Sequence, residues 1–154
     1  MTDKVPRYSG AGLRERVLLI GVGDRNTRRW QIVQSLEELA NLAKTAGGEV
    51  VESLIQMRYK FNPATRLGIG KAQELSEIAR DHDIDLFIFD GELSAAQIRN
   101  IEKLVAKRII DRTTLILDIF ALHARTKESK LQVELAQLEY RLPRLVGFSS
   151  ELSR

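Results

Sequence analysis

The sequence predicts an α/β fold, in which a four-stranded, mainly parallel sheet is flanked by helices and followed by a long C-terminal helix. Two observations predict this fold. Four short apolar segments alternate with amphipathic helical patterns, and parallel strands need crossover connections of that length. The apolar segments are also continuous rather than alternating, which is typical of strands buried on both faces.

The predicted strands and helices alternate along the chain. Each strand is a continuous apolar run, and each helix repeats its apolar residues every three or four positions. The predicted strands span Arg16–Val22, Glu49–Met57, Asp85–Asp90 and Lys107–Arg112, and the first three predicted helices span Ser35–Gly47, Lys71–Asp83 and Ser94–Ala106.

Two of these helices carry clear end signals. Gly47 suits the left-handed position that follows many helix C-termini. Ser94 and Gln97 have the spacing of a capping box, while Leu93 and Ile98 have the spacing of a hydrophobic staple. These signals support the helix boundaries at both places.

The C-terminal helical pattern begins at Thr113 and carries a seam of leucines with a 4-3-4-3 spacing, which suits a single partner helix. We expect Pro143 to end or kink this helix, and its second half to project away from the sheet. The chain then has three parts: a flexible segment 1–15, an α/β subdomain 16–112 and the helical part 113–154. The leucine seam consists of Leu131, Leu135, Leu138, Leu142 and Leu145.

Composition excludes several classes of protein. The chain has 154 residues, of which 44% are hydrophobic and 29% charged, as in ordinary globular proteins. It has no cysteine, and therefore neither a disulfide framework nor a thiol nucleophile. No apolar run reaches the roughly 18 residues of a membrane span, and the first residues are too polar for a signal peptide. We interpret the protein as cytoplasmic.

Basic residues are the main candidates for function. The net charge of +3 is concentrated towards the two ends of the chain, which fits either a polyanionic partner or a solvated surface. The stretch DRNTRRW places Arg25, Arg28 and Arg29 beside Trp30, so that phosphate pairing and base stacking could occur together. The alternative is that Trp30 belongs to the core.

The stretch NPATRLGIGK is a second candidate, for an anion or nucleotide. Gly68 and Gly70 precede a predicted helix, whose N-terminal N–H groups favour anions, with Arg66 and Lys71 nearby. The alternative is a structural loop that turns tightly. The stretch does not match the phosphate-binding motif GxxxxGK[ST], because Ala72 follows Lys71. The sequence also lacks NKxD, and we expect no GTP hydrolysis by this chain.

Other candidate sites have weaker support. Asp90, Glu92 and Asp111 lie near the ends of strands, where they fit either a magnesium site or helix caps and turns. Asn26 occupies the third glycine position of a GxGxxG motif begun by Gly21, which argues against a dinucleotide site. We expect no metal site and no cofactor bound to this chain.

Three segments of the sequence resemble the N-terminal region of the HflX family of ribosome-associated GTPases. They are NPATRLGIGK, IDLFIFDGELSAAQIRNIE and the segment from Asp111 to Leu145, in this order. The resemblance implies an N-terminal α/β subdomain, then an antiparallel helical hairpin, then a GTPase domain that uses GTP and Mg²⁺. It also implies that the whole protein binds the large ribosomal subunit and separates ribosomal subunits under heat stress.

The resemblance has three further implications for this chain. The helical part is the first arm of a truncated hairpin, and the returning helix and the GTPase domain are expected to be absent from this chain and to belong to the full-length protein. Without that returning helix, the leucine seam is expected to pair with a second copy of the chain. ATP binding by this region in some family members keeps a nucleotide-binding or small-ligand module as the alternative function. The cations expected to meet rRNA on the helical part are Arg112, Arg125, Lys127, Lys130, Arg141 and Arg144.

Overall fold

The computed structural model describes residues 15–152 and the side chains of residues 15–143. The predicted flexible segment 1–15, except its last residue, and the side chains of Arg144 and Leu145 lie outside the described residues. Strands and helices alternate as predicted. In chain order they are β1 Arg16–Gly23, α1 Arg29–Thr45, β2 Glu49–Met57, α2 Ile69–Asp81, β3 Leu86–Phe89, α3 Ala95–Val105, β4 Arg108–Asp111, α4 Arg112–His123 and α5 Lys127–Leu152.

The four strands form one sheet in the order β2-β1-β3-β4, and every pair is parallel. This confirms the predicted fold class. Gly23 pairs with Met57 and Phe89 pairs with Asp111, so all four strands end at the same edge, here called the carboxyl edge. The strand order reverses between β1 and β3, and open α/β sheets bind ligands at such a point.

Apolar residues alternate between the two faces of the sheet and form two cores. Val17 and Leu19 of β1 pack with α1 and α4, whereas Leu18 and Ile20 pack with α2 and α3. All four of these side chains are at least 99% buried. Burial on both faces explains why β1 and β3 are continuously apolar. The edge strand β2 differs from the prediction, because none of its residues is fully buried and Glu52 and Gln56 interrupt its apolar run.

Helix ends show where local chemistry decides the structure. The predicted cap of α3 is confirmed, because the Gln97 N–H donates to the Ser94 hydroxyl and the Ser94 N–H donates to the Gln97 side chain. Gly47 follows α1 with a φ of 92°. However, α1 begins at Arg29, six residues before the predicted start at Ser35. The Gln31 side chain accepts a hydrogen bond from the Arg28 N–H and caps the helix, so that no Ser, Thr, Asp or Asn is needed at its start.

The helical part is divided, which differs from the single helix expected from the sequence. Helix α4 ends at His123, and α5 begins at Lys127 after a reciprocal cap in which the Ser129 N–H donates to the Thr126 hydroxyl and the Thr126 N–H to the Ser129 hydroxyl. Helix α5 then packs against α3 and α4. The prediction that the second half projects away from the sheet is therefore wrong.

Helix α5 lies antiparallel to α4. Gln137 donates to Asp118 over 3.5 Å, and the Tyr140 hydroxyl donates to Asp111 at the end of β4. The helix continues through Pro143 to Leu152, so it does not end at the proline. Among residues 15–152, no helix is both long and apolar enough to cross a membrane.

The leucine seam of α5 lies on the opposite side from these contacts. Each of its described members is about half exposed, between 47% and 57%. Such a row of exposed leucines on one helix is typical of an interface. The members are Leu131, Leu135, Leu138 and Leu142.

Candidate nucleic-acid interface

The loop between β1 and α1 carries three of the predicted cations at the carboxyl edge. Arg25 lies in the loop, Arg28 is the N-cap of α1, and Arg29 is its first residue; all three are exposed. Asp24 fixes the shape of this loop. Hydrogen bonds from the Asn26 N–H and the Thr27 hydroxyl lower the pKa of the Asp24 carboxyl. The cations are thus displayed by an ordered turn at a helix N-terminus, whose dipole adds positive potential.

Trp30 is exposed to 60% in the first turn of α1, so it does not belong to the core. The core position of this turn is instead taken by Ile32, which is 5% exposed. Of the two alternatives for Trp30, the geometry therefore favours an aromatic side chain that is accessible to a partner.

The loop that follows β2 adds residues that were not predicted from the sequence. Tyr59 is exposed to 73%, and it lies between Arg58 and Lys60. The Arg25 guanidinium donates to the Tyr59 hydroxyl over 2.6 Å, and its central carbon lies 5.0 Å from the centre of the ring. An aromatic residue between two cations at the end of a strand was the signal that could have identified this loop.

Arg112 is a predicted cation at this edge whose charge is already paired. Its guanidinium contacts Asp90 at 3.0 Å and Glu38 at 3.1 Å, and it donates to the Ser35 hydroxyl over 2.9 Å. Burial lowers the pKa of Arg112, but the bonds to Asp90 and Glu38 outweigh burial and raise it. Arg112 therefore ties α4 to α1 and β3.

The cations of the helical part lie elsewhere. Arg125 belongs to the α4–α5 connection, and Lys127 and Lys130 lie in the first turn of α5; all three are exposed. Among the described residues, none of the three takes part in an ion pair. Because α4 leaves the carboxyl edge and extends for about 18 Å, this group lies well away from Arg25. Arg141 returns towards the carboxyl edge with Tyr140 and is exposed.

The Gly68 loop is held tightly by its surroundings. The Arg66 guanidinium lies over the rings of Phe61 and Phe89, at 4.2 and 5.5 Å, and burial lowers its pKa. Lys71 pairs with Glu74 at 3.1 Å. Two amide side chains of α3 donate to carbonyl groups of residues 63 and 64. The two candidate cations of this loop, Arg66 and Lys71, thus already have protein partners.

The carboxylates at the strand ends act within the protein. Asp111 is the N-cap of α4, as one of the two alternatives predicted, and it accepts from the Thr114 N–H over 3.0 Å and the Leu93 N–H over 3.0 Å. Asp90 pairs with Arg112, and Glu92 accepts from the Thr113 hydroxyl. Within residues 15–143, no cluster of His, Cys, Asp or Glu has the arrangement of a metal site.

Most of the chain is similar to known proteins. Residues 33–121 match the family described as GTP-binding GTPase N-terminal, and residues 123–154 match the GTP-binding GTPase Middle Region. GTPase HflX from Alkalihalophilus pseudofirmus is 49% identical over 140 residues, which cover 91% of this chain and 33% of the relative. GTPase HflX from Escherichia coli is 44% identical over 122 residues, which cover 79% and 29%.

A solved structure of a GTP-binding protein is also similar to this chain. A GTP-binding protein from the hyperthermophilic archaeon Sulfolobus solfataricus, in complex with GDP, superposes with a TM-score of 0.66 at 28% identity. The superposition covers 88% of this chain and 40% of the archaeal chain. This chain spans about a third of the length of the curated relatives it matches.

Proposed function

This chain belongs to the HflX family of GTP-binding proteins and corresponds to their N-terminal region, and we propose its function from that premise. The proposed function is to hold such a protein on the large ribosomal subunit by binding rRNA. In the whole protein, we propose, a GTPase domain that uses GTP and Mg²⁺ acts with this region to separate ribosomal subunits. The protein is proposed to work in the cytoplasm.

The observation that carries the proposal is the basic group at the carboxyl edge. Arg25, Arg28 and Arg29 are exposed at the start of α1, next to the exposed ring of Trp30. Cations that neutralise phosphates supply most of the sequence-independent affinity for nucleic acid, and exposed rings add stacking on unpaired bases. Neither feature is needed to hold the fold together, because both lie outside the two cores.

The second group of cations supports an extended contact. Arg125, Lys127 and Lys130 lie at the far end of α4, so a partner that meets both groups must be large and polyanionic. A ribosomal subunit has both properties. We expect the simultaneous change of the three residues to Glu to weaken binding while leaving the sheet intact.

Sedimentation with purified large subunits tests the proposal. The chain is expected to pellet with the subunits at low salt and to leave them as salt rises. The Arg125→Glu, Lys127→Glu, Lys130→Glu variant should pellet less with an unchanged circular dichroism spectrum. If the parent chain stays in the supernatant at low salt, the proposal is wrong.

The chain alone is proposed not to hydrolyse GTP. The stretch around Lys71 lacks the hydroxyl residue that binds the metal in a phosphate loop, and the Lys71 side chain is paired with Glu74. Phosphate release by the purified chain should therefore equal the background rate. The alternative function, a nucleotide-binding module at Gly68–Lys71, predicts heat of binding when ATP is titrated into the chain, and we expect none.

A further inference from the structure

The loops after β1 and β2 meet in a way that the strand register dictates. Gly23 and Met57 are paired residues at the ends of the two strands, and Arg25 and Tyr59 each lie two residues further on. The Arg58 N–H donates to the Gly23 carbonyl over 2.8 Å and closes the ladder. Arg25 and Tyr59 therefore leave the sheet side by side at the carboxyl edge.

The contact between these two residues fixes the aromatic ring without burying it. The Arg25 guanidinium lies 5.0 Å from the centre of the Tyr59 ring and donates to its hydroxyl over 2.6 Å, yet Tyr59 remains 73% exposed. Trp30, in the first turn of α1, is 60% exposed. Large rings that are left in water are typical of binding surfaces.

The charge around these rings is strongly positive. Residues 24–30 and 57–61 carry five cations against one carboxylate, although the net charge of the whole chain is only +3. The carboxylate, Asp24, is turned towards its own loop by the Asn26 N–H and the Thr27 hydroxyl. The five cations are Arg25, Arg28, Arg29, Arg58 and Lys60.

We propose that Tyr59, together with Trp30, is a stacking surface for unpaired bases of single-stranded RNA, and that the surrounding cations contact its phosphates. The inference rests on the proposed function in taking RNA as the partner, and it adds the structural class of that RNA. Duplex RNA keeps its bases stacked inside the helix and presents mostly phosphate and ribose, so it cannot use exposed rings. Unpaired bases can stack on any aromatic face, and stacking tolerates many sequences.

Fluorescence gives a direct test, because Trp30 is the only tryptophan of the 154-residue chain. The chain is titrated with a 12-nucleotide single-stranded oligoribonucleotide and with a 12-base-pair RNA duplex. We expect the single strand to quench Trp30 emission and to bind at least tenfold more tightly than the duplex at equal nucleotide concentration. Equal affinity for the two RNAs, or binding of the single strand without quenching, would overturn the inference.

Two variants separate stacking from charge. Tyr59→Leu keeps an apolar side chain but removes the ring, and it should weaken single-strand binding about tenfold with an unchanged salt dependence. Arg58→Gln should instead lower the slope of log affinity against log salt by about one. The matched control is Phe120→Leu, a ring on α4 that is 57% exposed and far from both loops, and it should change nothing. A Tyr59→Leu chain that binds like the parent contradicts the inference.

The same variants distinguish this inference from the proposed function. If Tyr59→Leu and the parent chain pellet equally with large subunits and bind the single strand equally, the stacking surface is wrong and ribosome binding stands. If the parent binds single-stranded RNA with the expected quenching but does not pellet with large subunits, the stacking surface stands and the proposed function is wrong.

Discussion

Asp111 is predicted to be the residue whose loss most damages the junction of the sheet with the helical part. It is fully buried at the end of β4, and its carboxylate accepts from Thr114 at the start of α4, from Leu93 after β3, and from Tyr140 of α5. Three segments therefore depend on one side chain. The change Asp111→Ala removes all of these bonds and leaves the backbone able to fold.

The expected magnitude follows from the bonds that are lost. Removal of an N-cap costs about 1 kcal/mol, and loss of a hydrogen bond from a buried N–H to a charged acceptor costs about 1.5 to 3 kcal/mol. Relief of the desolvation of the carboxylate offsets part of this, so we expect a loss of about 3 kcal/mol in the free energy of unfolding. Small proteins have total stabilities of about 5 to 15 kcal/mol, and the variant should still fold.

Urea unfolding followed by circular dichroism measures this loss. With a urea dependence of about 1 to 3 kcal/mol per molar for a protein of this size, the midpoint should fall by about 1 to 3 M. Tyr140→Phe removes the bond to Asp111 but keeps the ring, and should lower the free energy of unfolding by about 1 kcal/mol. Asp81→Ala, an exposed aspartate of α2, is the control and should stay within about 0.5 kcal/mol of the parent. If Asp111→Ala unfolds at the same urea concentration as Asp81→Ala, the junction does not depend on Asp111.

Three further predictions concern packing, pH and assembly. Gly21→Ala should lower the free energy of unfolding, measured by thermal unfolding, by about 1 to 3 kcal/mol, because the new Cβ would lie 2.6 Å from a side-chain carbon of α1. Gly70→Ala is the control and should leave the free energy of unfolding unchanged, because nothing lies within 4 Å of its Cβ. Burial raises the pKa of Asp118, so ionisation of this carboxyl destabilises the fold as pH rises through that pKa. The Asp118→Asn variant should therefore be more stable than the parent at pH 7. The urea midpoints of the variant and the parent should converge below pH 3.8, the ordinary pKa of aspartate, where Asp118 is protonated. The parent chain should sediment as a dimer that is held together by its leucine seam, and the Leu135→Glu, Leu138→Glu variant should sediment as a monomer. If the parent chain also sediments as a monomer at high concentration, the predicted dimer is wrong.

The sheet was predictable from the sequence because its signal is local and strong. Strands β1 and β3 are continuous apolar runs, and burial on both faces requires that pattern. The cap of α3 was predictable for the same reason, since Ser94 and Gln97 act within one turn. The start of α1 was not, because Gln31 caps it and glutamine is a weak signal at that position.

The position of α5 could not be predicted from local patterns. The leucine seam is the strongest periodic signal in the helical part, but α5 packs on α4 through its other side, which carries Gln137 and Tyr140. Polar contacts to Asp111 and Asp118 depend on residues that are distant in sequence. The candidate interface was predicted in part: Arg25 and Trp30 were identified, whereas Tyr59 joins them only through the pairing of β1 with β2.

The central claim is that the basic group at the start of α1 binds the large ribosomal subunit by its phosphates. The most direct test is the affinity of the chain for large subunits over a range of salt concentrations, for the parent and two triple variants of equal charge change. We expect the triple change Arg25→Gln, Arg28→Gln, Arg29→Gln to weaken binding and to lower the slope of log affinity against log salt by about two to three. The control variant is Arg80→Gln, Lys103→Gln, Lys107→Gln, which changes three exposed cations on α2, on α3 and in the turn before β4. Its affinity and its salt slope should match those of the parent. Equal affinities and equal slopes for the two variants would contradict the account.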